Sequence, residues 1–141
     1  MVASQAMTTA AELTPRTTAT TARGTVVLTG KDSSPVCERC VVADRMLSRM
    51  KGLLGRRSLP AGEGLLIRPA PSIHTFFMRF PIDAVFLSRA GEVMKVSAAV
   101  GPWRTRSCRR AYAVLELAAG EAERRGLTTG DHLEAEALAL P

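Results

Sequence analysis

A chain of 141 residues with 46% hydrophobic content suffices for one domain with a single modest core, and its net charge is +6. Its apolar runs reach about five residues, against the ~20 that a membrane-spanning helix needs, and the N-terminus lacks the basic and apolar regions of a secretory signal. These properties argue against a membrane segment and a leader, so we expect a cytoplasmic protein.

The first 34 residues predict a disordered tail. They contain nine Thr, six Ala and three Ser, with almost no large apolar side chain before Val26. Such a segment buries too little surface to offset the entropy of ordering it. A short strand at Thr25–Leu28 is the exception that the sequence allows. We therefore assign residues 1–34 to the tail and residues 35–141 to a single globular domain.

A core helix is predicted from Asp44, a good N-cap residue, to about Leu54. Its apolar residues fall at helical spacing on one face, and its basic and polar residues lie opposite. Gly55 can close the helix with a positive φ. The apolar face is made of Met46, Leu47, Met50, Leu53 and Leu54.

The rest of the chain has the texture of β-structure. Short apolar or alternating runs are separated by Pro, Gly and charged turns, and Ser88–Gly91 is typical of a hairpin connection. One short helical turn is predicted at Glu121–Arg125. The architecture predicted is α+β, predominantly antiparallel β, with a small twisted or barrel-like sheet and one packed helix. The predicted strands are Gly64–Arg68, Ile73–Met78, Ala84–Leu87, Val93–Ala98, Tyr112–Leu117 and His132–Ala137.

Four sequence blocks occur in a familiar order and spacing: Arg49–Arg56, Gly62–Leu66, His74–Leu87 and Ala113–Gly120. Together they resemble the uncharacterised family called domain of unknown function 192, over about residues 40–136. The resemblance implies a compact, mainly β domain with one helix, and it implies no settled reaction, cofactor or substrate. Many relatives carry a Trp-Met-Lys-Asn type of sequence where this chain has Phe77–Phe80.

The third of these blocks contains the first candidate site residues. His74, Arg79 and Asp83 lie among aromatic residues, where a strand made for packing alone would not need them. A His titrates near neutral pH and can act as a base or ligand. Asp83 follows a Pro-Ile turn, so its carboxylate can also simply accept backbone N–H groups. A ligand-binding role for Asp83 requires a partner such as Arg56, Arg79 or His74 to face it.

Basic residues indicate an anionic partner. Residues 45–110 carry thirteen Lys or Arg against three acids, giving +10, and sixteen of the nineteen basic residues are Arg. Trp103 and Arg104 open a segment with four Arg that combines an aromatic plane with guanidinium groups, as base stacking and phosphate contact require. A solvated basic surface is the simpler explanation.

Cys37 and Cys40 form a Cys-x-x-Cys motif, and Cys108 is the third cysteine. Two thiolates are half of a zinc site, which Cys108 with a His could complete. A redox pair is the alternative, although such pairs usually open a helix. Reduced cysteines without a role are the third reading, because cytosolic thiols are kept reduced.

Three functions therefore remain open. The preferred one is a small non-catalytic binding or accessory domain, with Arg56, His74, Arg79, Asp83, Trp103 and Arg104 on a face for an anionic small molecule, an acidic protein or a nucleic acid. The second is a zinc or thiol-redox protein that uses Cys37, Cys40 and Cys108. The third is a hydrolase-like enzyme that uses His74 and Asp83. The absence of a known nucleophile or phosphate-binding motif favours a protein without catalysis.

Overall fold

The computed structural model describes residues 25–30, 33–43 and 53–134. In these residues it contains eight strands and one short helix. The strands are β1 (Thr25–Thr29), β2 (Pro35–Ala43), β3 (Glu63–Ile67), β4 (Ser72–His74), β5 (Ile82–Leu87), β6 (Val93–Val100), β7 (Thr105–Ser107) and β8 (Ala113–Ala118), and the helix is α1 (Glu121–Arg124).

Six of the strands form one sheet in the order β1–β2–β3–β8–β5–β6, in which β2 and β3 are parallel and every other pair is antiparallel. The described strands leave β1 and β6 as two separate edges, so this sheet is open and does not close into a barrel. Strands β4 and β7 form a separate antiparallel ribbon. The predicted α+β fold with mainly antiparallel β-structure is confirmed.

The sheet has an apolar core on each face, because side chains alternate along its central strands. On β8, Leu115 belongs to a first core and Val114 to a second one. Helix α1 covers the first core through Ala122, whereas the β4–β7 ribbon covers the second through Ile73. Central strands buried on both faces explain why β5 is apolar at every position except Asp83.

Several predicted elements are confirmed within two residues, namely those that became β1, β3, β5, β6, β8 and α1. The hairpin connection is confirmed as well, because the Gly91 N–H donates to the Ser88 carbonyl at 3.0 Å and Gly91 has a φ of 91°. The predicted helix at residues 44–54 lies outside the described residues up to position 52, and Leu53 stands in a turn.

Two other predictions differ from the structure. Strand β1 is the exception that the sequence allowed within residues 1–34, and residues 1–24 lie outside the described part. The predicted strand at 73–78 ends at His74, where the chain enters a turn. At the C-terminal end, His132 and Glu134 form isolated bridges, and residues 135–141 lie outside the description. Strands β2 and β7 were not predicted.

Candidate functional site

Four rings form a row at the end of the ribbon. The row comprises His74 at the end of β4, Phe76 and Phe77 in the following turn, and Trp103 in the loop between β6 and β7. Ring centroids are 5.0 Å apart for His74 and Phe76, 5.8 Å for Phe76 and Trp103, and 4.6 Å for Phe77 and Trp103. Exposure is 37% for Phe76, 70% for Phe77 and 55% for Trp103. We call these four residues the aromatic row.

A buried threonine holds the two loops of the row together. The Thr75 hydroxyl donates to the Gly101 carbonyl at 2.6 Å and accepts the Arg104 N–H at 2.9 Å. The Thr75 N–H donates to the Arg104 carbonyl at 2.8 Å, and the Trp103 N–H donates to the Thr75 carbonyl at 3.0 Å. Thr75 is fully buried, and these four bonds fix Trp103 against the turn that carries Phe76.

The backbone at two ring positions is left-handed. Phe77 has a φ of 65° and Trp103 a φ of 62°. Bulky side chains rarely adopt this conformation, which costs on the order of 1–3 kcal/mol at each position. Strain of this kind is retained where the surroundings over-determine it, and it is concentrated at functional sites. Here the strain accompanies two large apolar side chains that point to solvent, which packing alone does not explain.

A groove of about 430 Å³ runs beside the row, along the ribbon. Such a volume falls in the range of small-molecule sites, about 300–1,000 Å³. Its two cations come from different elements, Lys95 from β6 and Arg106 from β7. Its lining consists of Ser72, Ile73, His74, Phe76, Lys95, Thr105, Arg106 and Ser107.

Positive charge around the row is not offset by ion pairs with acids of the described residues. Among the described residues, none of the five ion pairs includes Arg79, Arg104 or Arg106. Within the described part of the chain, the Arg104 and Arg106 guanidinium groups each donate to the carbonyl of the preceding residue, at 3.3 and 2.7 Å. We call the aromatic row with Lys95, Arg104 and Arg106 the aromatic–arginine surface, and Arg79 is exposed two residues after Phe77.

Arg56 has a different environment. Its guanidinium donates to Glu63 at 3.1 Å, and Arg39 donates to the other oxygen of the same carboxylate at 2.7 Å. Two Arg on one acid leave this group with excess positive charge, but both side chains are well exposed, so the pairing contributes little to stability. The structure therefore does not join Arg56 to Asp83.

Asp83 is fully buried and its carboxylate is occupied by the backbone. Oδ1 accepts the Ala99 N–H at 2.8 Å, and Oδ2 accepts the N–H groups of Gly120 and Ala122 at 3.0 and 2.9 Å. Gly120 is the N-cap of α1, so this side chain satisfies two of the N–H donors at the start of that helix. Asp83 thereby ties β5, β6 and α1 together.

His74 and Asp83 lie on opposite faces of the main sheet. Asp83 reaches Ala122 in the first core, whereas the ribbon that carries His74 covers the second core through Ile73. The groove beside His74 does not include Asp83. A hydrolase-like pair requires both groups within reach of one atom or water, so this arrangement does not support the third function considered from the sequence.

A β-bulge brings the two cysteines of the Cys-x-x-Cys motif to one face. An uninterrupted strand would direct Cys37 and Cys40 to opposite faces, because their spacing is odd. Pairing with β1 shifts between them, since Leu28 faces Cys37 and Val26 faces Cys40. The two-residue step from Val26 to Leu28 on β1 thus pairs with the three-residue step from Cys40 to Cys37 on β2, which is a β-bulge. Both cysteines are fully buried in the first core as a result.

The environment of the Cys40 thiol disfavours its ionisation. A hydrogen bond with Cys37 and then burial raise the pKa of Cys40 well above its usual value. The Cys37 thiol also packs over Gly64, where an added Cβ would lie 2.8 Å from its sulfur. Cys108 is half-buried and packs against the second core. The residues described contain no group of three or more His, Cys, Asp or Glu side chains arranged for a metal ion.

Glu116 is a second buried carboxyl, and it was not predicted. It lies on β8 between Leu65 and Ala84 of the neighbouring strands and faces the second core. Burial raises the pKa of Glu116 to about 7. No hydrogen-bond partner of its Oε2 atom exists among the described residues. An acid within the otherwise apolar run Ala113–Ala118 is the sequence signal that could have identified it.

The sequence also contained a signal for the row that the predictions did not use. Two adjacent Phe residues in a strand point to opposite faces, so Phe76 and Phe77 could not both enter one core. Unless both faces of the strand are covered, as they are for β5, at least one of them faces solvent or leaves the strand. In the structure the strand ends at His74, before either Phe, and both rings are exposed. Thr75 and Lys95 carried no such signal, whereas Arg106 belongs to the basic segment that Trp103 opens.

The sequence that forms this fold matches a known family. The model of the uncharacterized ACR family DUF192 matches residues 26–135. The chain belongs to this family. That match confirms the resemblance found in the four sequence blocks and extends it to β1. No curated protein matches the chain.

Two crystal structures are similar to this member of the DUF192 family. A Novosphingobium aromaticivorans protein of unknown function has a TM-score of 0.71 and 26% identity, over 78% of this chain and 84% of that chain. A Sinorhizobium meliloti protein described as a candidate transcription regulator has a TM-score of 0.69 and 24% identity, over 77% of this chain and 90% of that chain. The second likeness establishes a shared fold. Among the described residues, no helix is long and apolar enough to cross a membrane.

Proposed function

We propose that this DUF192 domain is a non-catalytic binding domain whose ligand is an anion with a planar ring, held on the aromatic–arginine surface. The observation that carries the proposal is a row of exposed rings next to Arg104 and Arg106, whose guanidinium groups have no acidic partner among the described residues. Rings offer flat faces for stacking, and Arg offers paired N–H donors to a phosphate or carboxylate.

Rigidity supports this role. Binding is stronger when the recognition surface does not have to be ordered by the ligand. The Thr75 hydroxyl fixes the loop of Trp103 to the turn of Phe76 through two short hydrogen bonds, so the ring positions are set before any ligand arrives. The groove between Lys95 and Arg106 then provides a site for the charged part of the ligand.

The test uses Trp103, the only Trp of the chain, as an intrinsic reporter. Its fluorescence is titrated with thymidine monophosphate, with thymidine and with inorganic phosphate, and calorimetry gives the affinities independently. We expect thymidine monophosphate to bind more tightly than thymidine or inorganic phosphate, because the surface recognises both the ring and the charge. Equal or absent responses to all three compounds would overturn the proposal.

Two variants locate the binding site. Phe77→Ala removes an exposed ring and Arg104→Ala removes an exposed charge, and neither side chain supports the core. Both variants are expected to weaken binding of the monophosphate. Arg89→Ala is the matched control, because Arg89 lies in the β5–β6 hairpin, at the end of β5 remote from the row, where it stacks on Tyr112 at 4.3 Å. Binding is expected to be unchanged in this control.

A further inference from the structure

We infer that the ligand of the aromatic–arginine surface is a single-stranded nucleic acid, an inference that rests on the function proposed above. The rings of the row follow one another at 4.6–5.8 Å, so they form a strip and not an isolated stacking residue. Single strands are held on such strips, because every base has a flat face that stacks on an aromatic ring. A strip of this size accommodates about three bases.

Cations border the strip on the side where a backbone would run. Arg106 and Lys95 line the groove next to His74, and Arg104 directly follows Trp103. A single strand carries one phosphate for each base, so a ligand that stacks along the strip presents several phosphates to these side chains. The surrounding sequence is also strongly basic. Residues 72–110 contain seven Lys or Arg against two acids, and one of the acids, Asp83, is fully occupied by backbone donors.

The geometry distinguishes this ligand from two other anionic surfaces. A duplex keeps its base faces stacked inside, so it offers no flat partner to Phe77 or Trp103. A bilayer accepts Phe and Trp side chains that project separately into the interface. Here the rings pack on one another at 4.6–5.8 Å, and the bonds of Thr75 clamp their loops together. Stacking of flat bases on a continuous strip fits this arrangement best.

The experiment measures quenching of Trp103 by an oligothymidylate of about eight nucleotides, over a series of salt concentrations. We expect it to bind at least about tenfold more tightly than thymidine monophosphate, because several bases and phosphates are engaged together. Three phosphate contacts predict a slope of about −2 for the logarithm of the affinity against that of the salt concentration. Phe77→Ala should weaken binding about tenfold, Arg104→Ala should make the slope shallower, and Arg89→Ala should change neither.

Several other results would overturn the inference. An oligonucleotide that binds no more tightly than the monophosphate would overturn this inference and leave the proposed function standing, whereas no binding of either compound would overturn both. Equal affinity for the matching duplex would also overturn it, since stacking on exposed bases would then not be the cause. So would a blue shift of Trp103 emission on vesicles of phosphatidylcholine and phosphatidylserine without any binding of the oligonucleotide.

Discussion

The buried carboxyl of Glu116 predicts that this protein loses stability as the pH rises through neutrality. Burial raises its pKa from 4.5 to about 7 in the folded protein. The folded state therefore binds a proton that the unfolded state has already released between these two values. Below pH 4.5 both states are protonated and the contribution is fully present. It is lost as the pH rises through the folded pKa.

The magnitude follows from the size of the shift. A difference of one pKa unit corresponds to 1.36 kcal/mol, so a rise from 4.5 to about 7 corresponds to a total of about 3 kcal/mol. Between pH 5 and pH 8 the expected loss in the free energy of unfolding is about 2.5 kcal/mol. That is a large fraction of the 5–15 kcal/mol that holds a typical domain together.

The assay compares the chain with its Glu116→Gln variant by urea denaturation, followed by circular dichroism at pH 5 and pH 8. Gln cannot ionise, so the variant should lack this pH-dependent loss even if its amide lowers stability at both pH values. Other titrating groups are common to both proteins and cancel in the difference. Glu123→Gln, at an exposed position of α1, is the matched control and should follow the unaltered chain. If Glu116→Gln loses stability with pH as the unaltered chain does, the reasoning is refuted.

Two further predictions concern the other buried polar groups. Asp83→Ala leaves three backbone N–H groups without their acceptor and should lower the free energy of unfolding by about 3 kcal/mol in urea denaturation. Asp131→Ala, whose carboxylate accepts an exposed hydrogen bond, should lower the free energy of unfolding far less. An equal loss of stability in both variants would contradict the structural role of Asp83. A selective loss of nucleotide binding in Asp83→Ala would contradict it as well. With a thiol reagent, Cys108 should react in the folded protein, whereas Cys37 and Cys40 should react only after unfolding, because both are buried and the Cys40 pKa is raised. Simultaneous reaction of all three thiols would show that the first core is open to solvent.

Local patterns sufficed to predict the central strands. The segments that became β3, β5, β6 and β8 are short apolar runs bounded by Gly, Pro or charged turns, and these signals do not depend on distant residues. Strand β2 was not predicted, because its bulge places Cys37 and Cys40 on one face at an odd spacing. The alternation that identifies a half-buried strand is lost in such a segment. The missing signal was therefore the pairing with β1, which no local window contains.

The sequence predicted the chemical types of the candidate site residues, but it did not predict which of them the fold brings together. Trp103, Arg104 and His74 were identified by their chemistry, and the structure brings them to one surface. Asp83 was grouped with them because of its place in the chain. Its three backbone partners are sixteen to thirty-nine residues away, and these long-range bonds decide that it faces the opposite side of the sheet.

For the basic residues too, composition predicts the net charge of the surface, whereas folding decides which Arg side chains are paired with acids. A run of +10 over residues 45–110 predicts a basic surface, but the contribution of each Arg to binding depends on whether an acid already neutralises it. Arg39 and Arg56 share Glu63, and Arg125 is bonded to Glu38 at 2.8 and 3.0 Å. The guanidinium groups beside the aromatic row have no such partner among the described residues. Counterion release on binding should therefore be governed by these few groups and not by the total charge, so the salt dependence of affinity reports directly on the row and its neighbours.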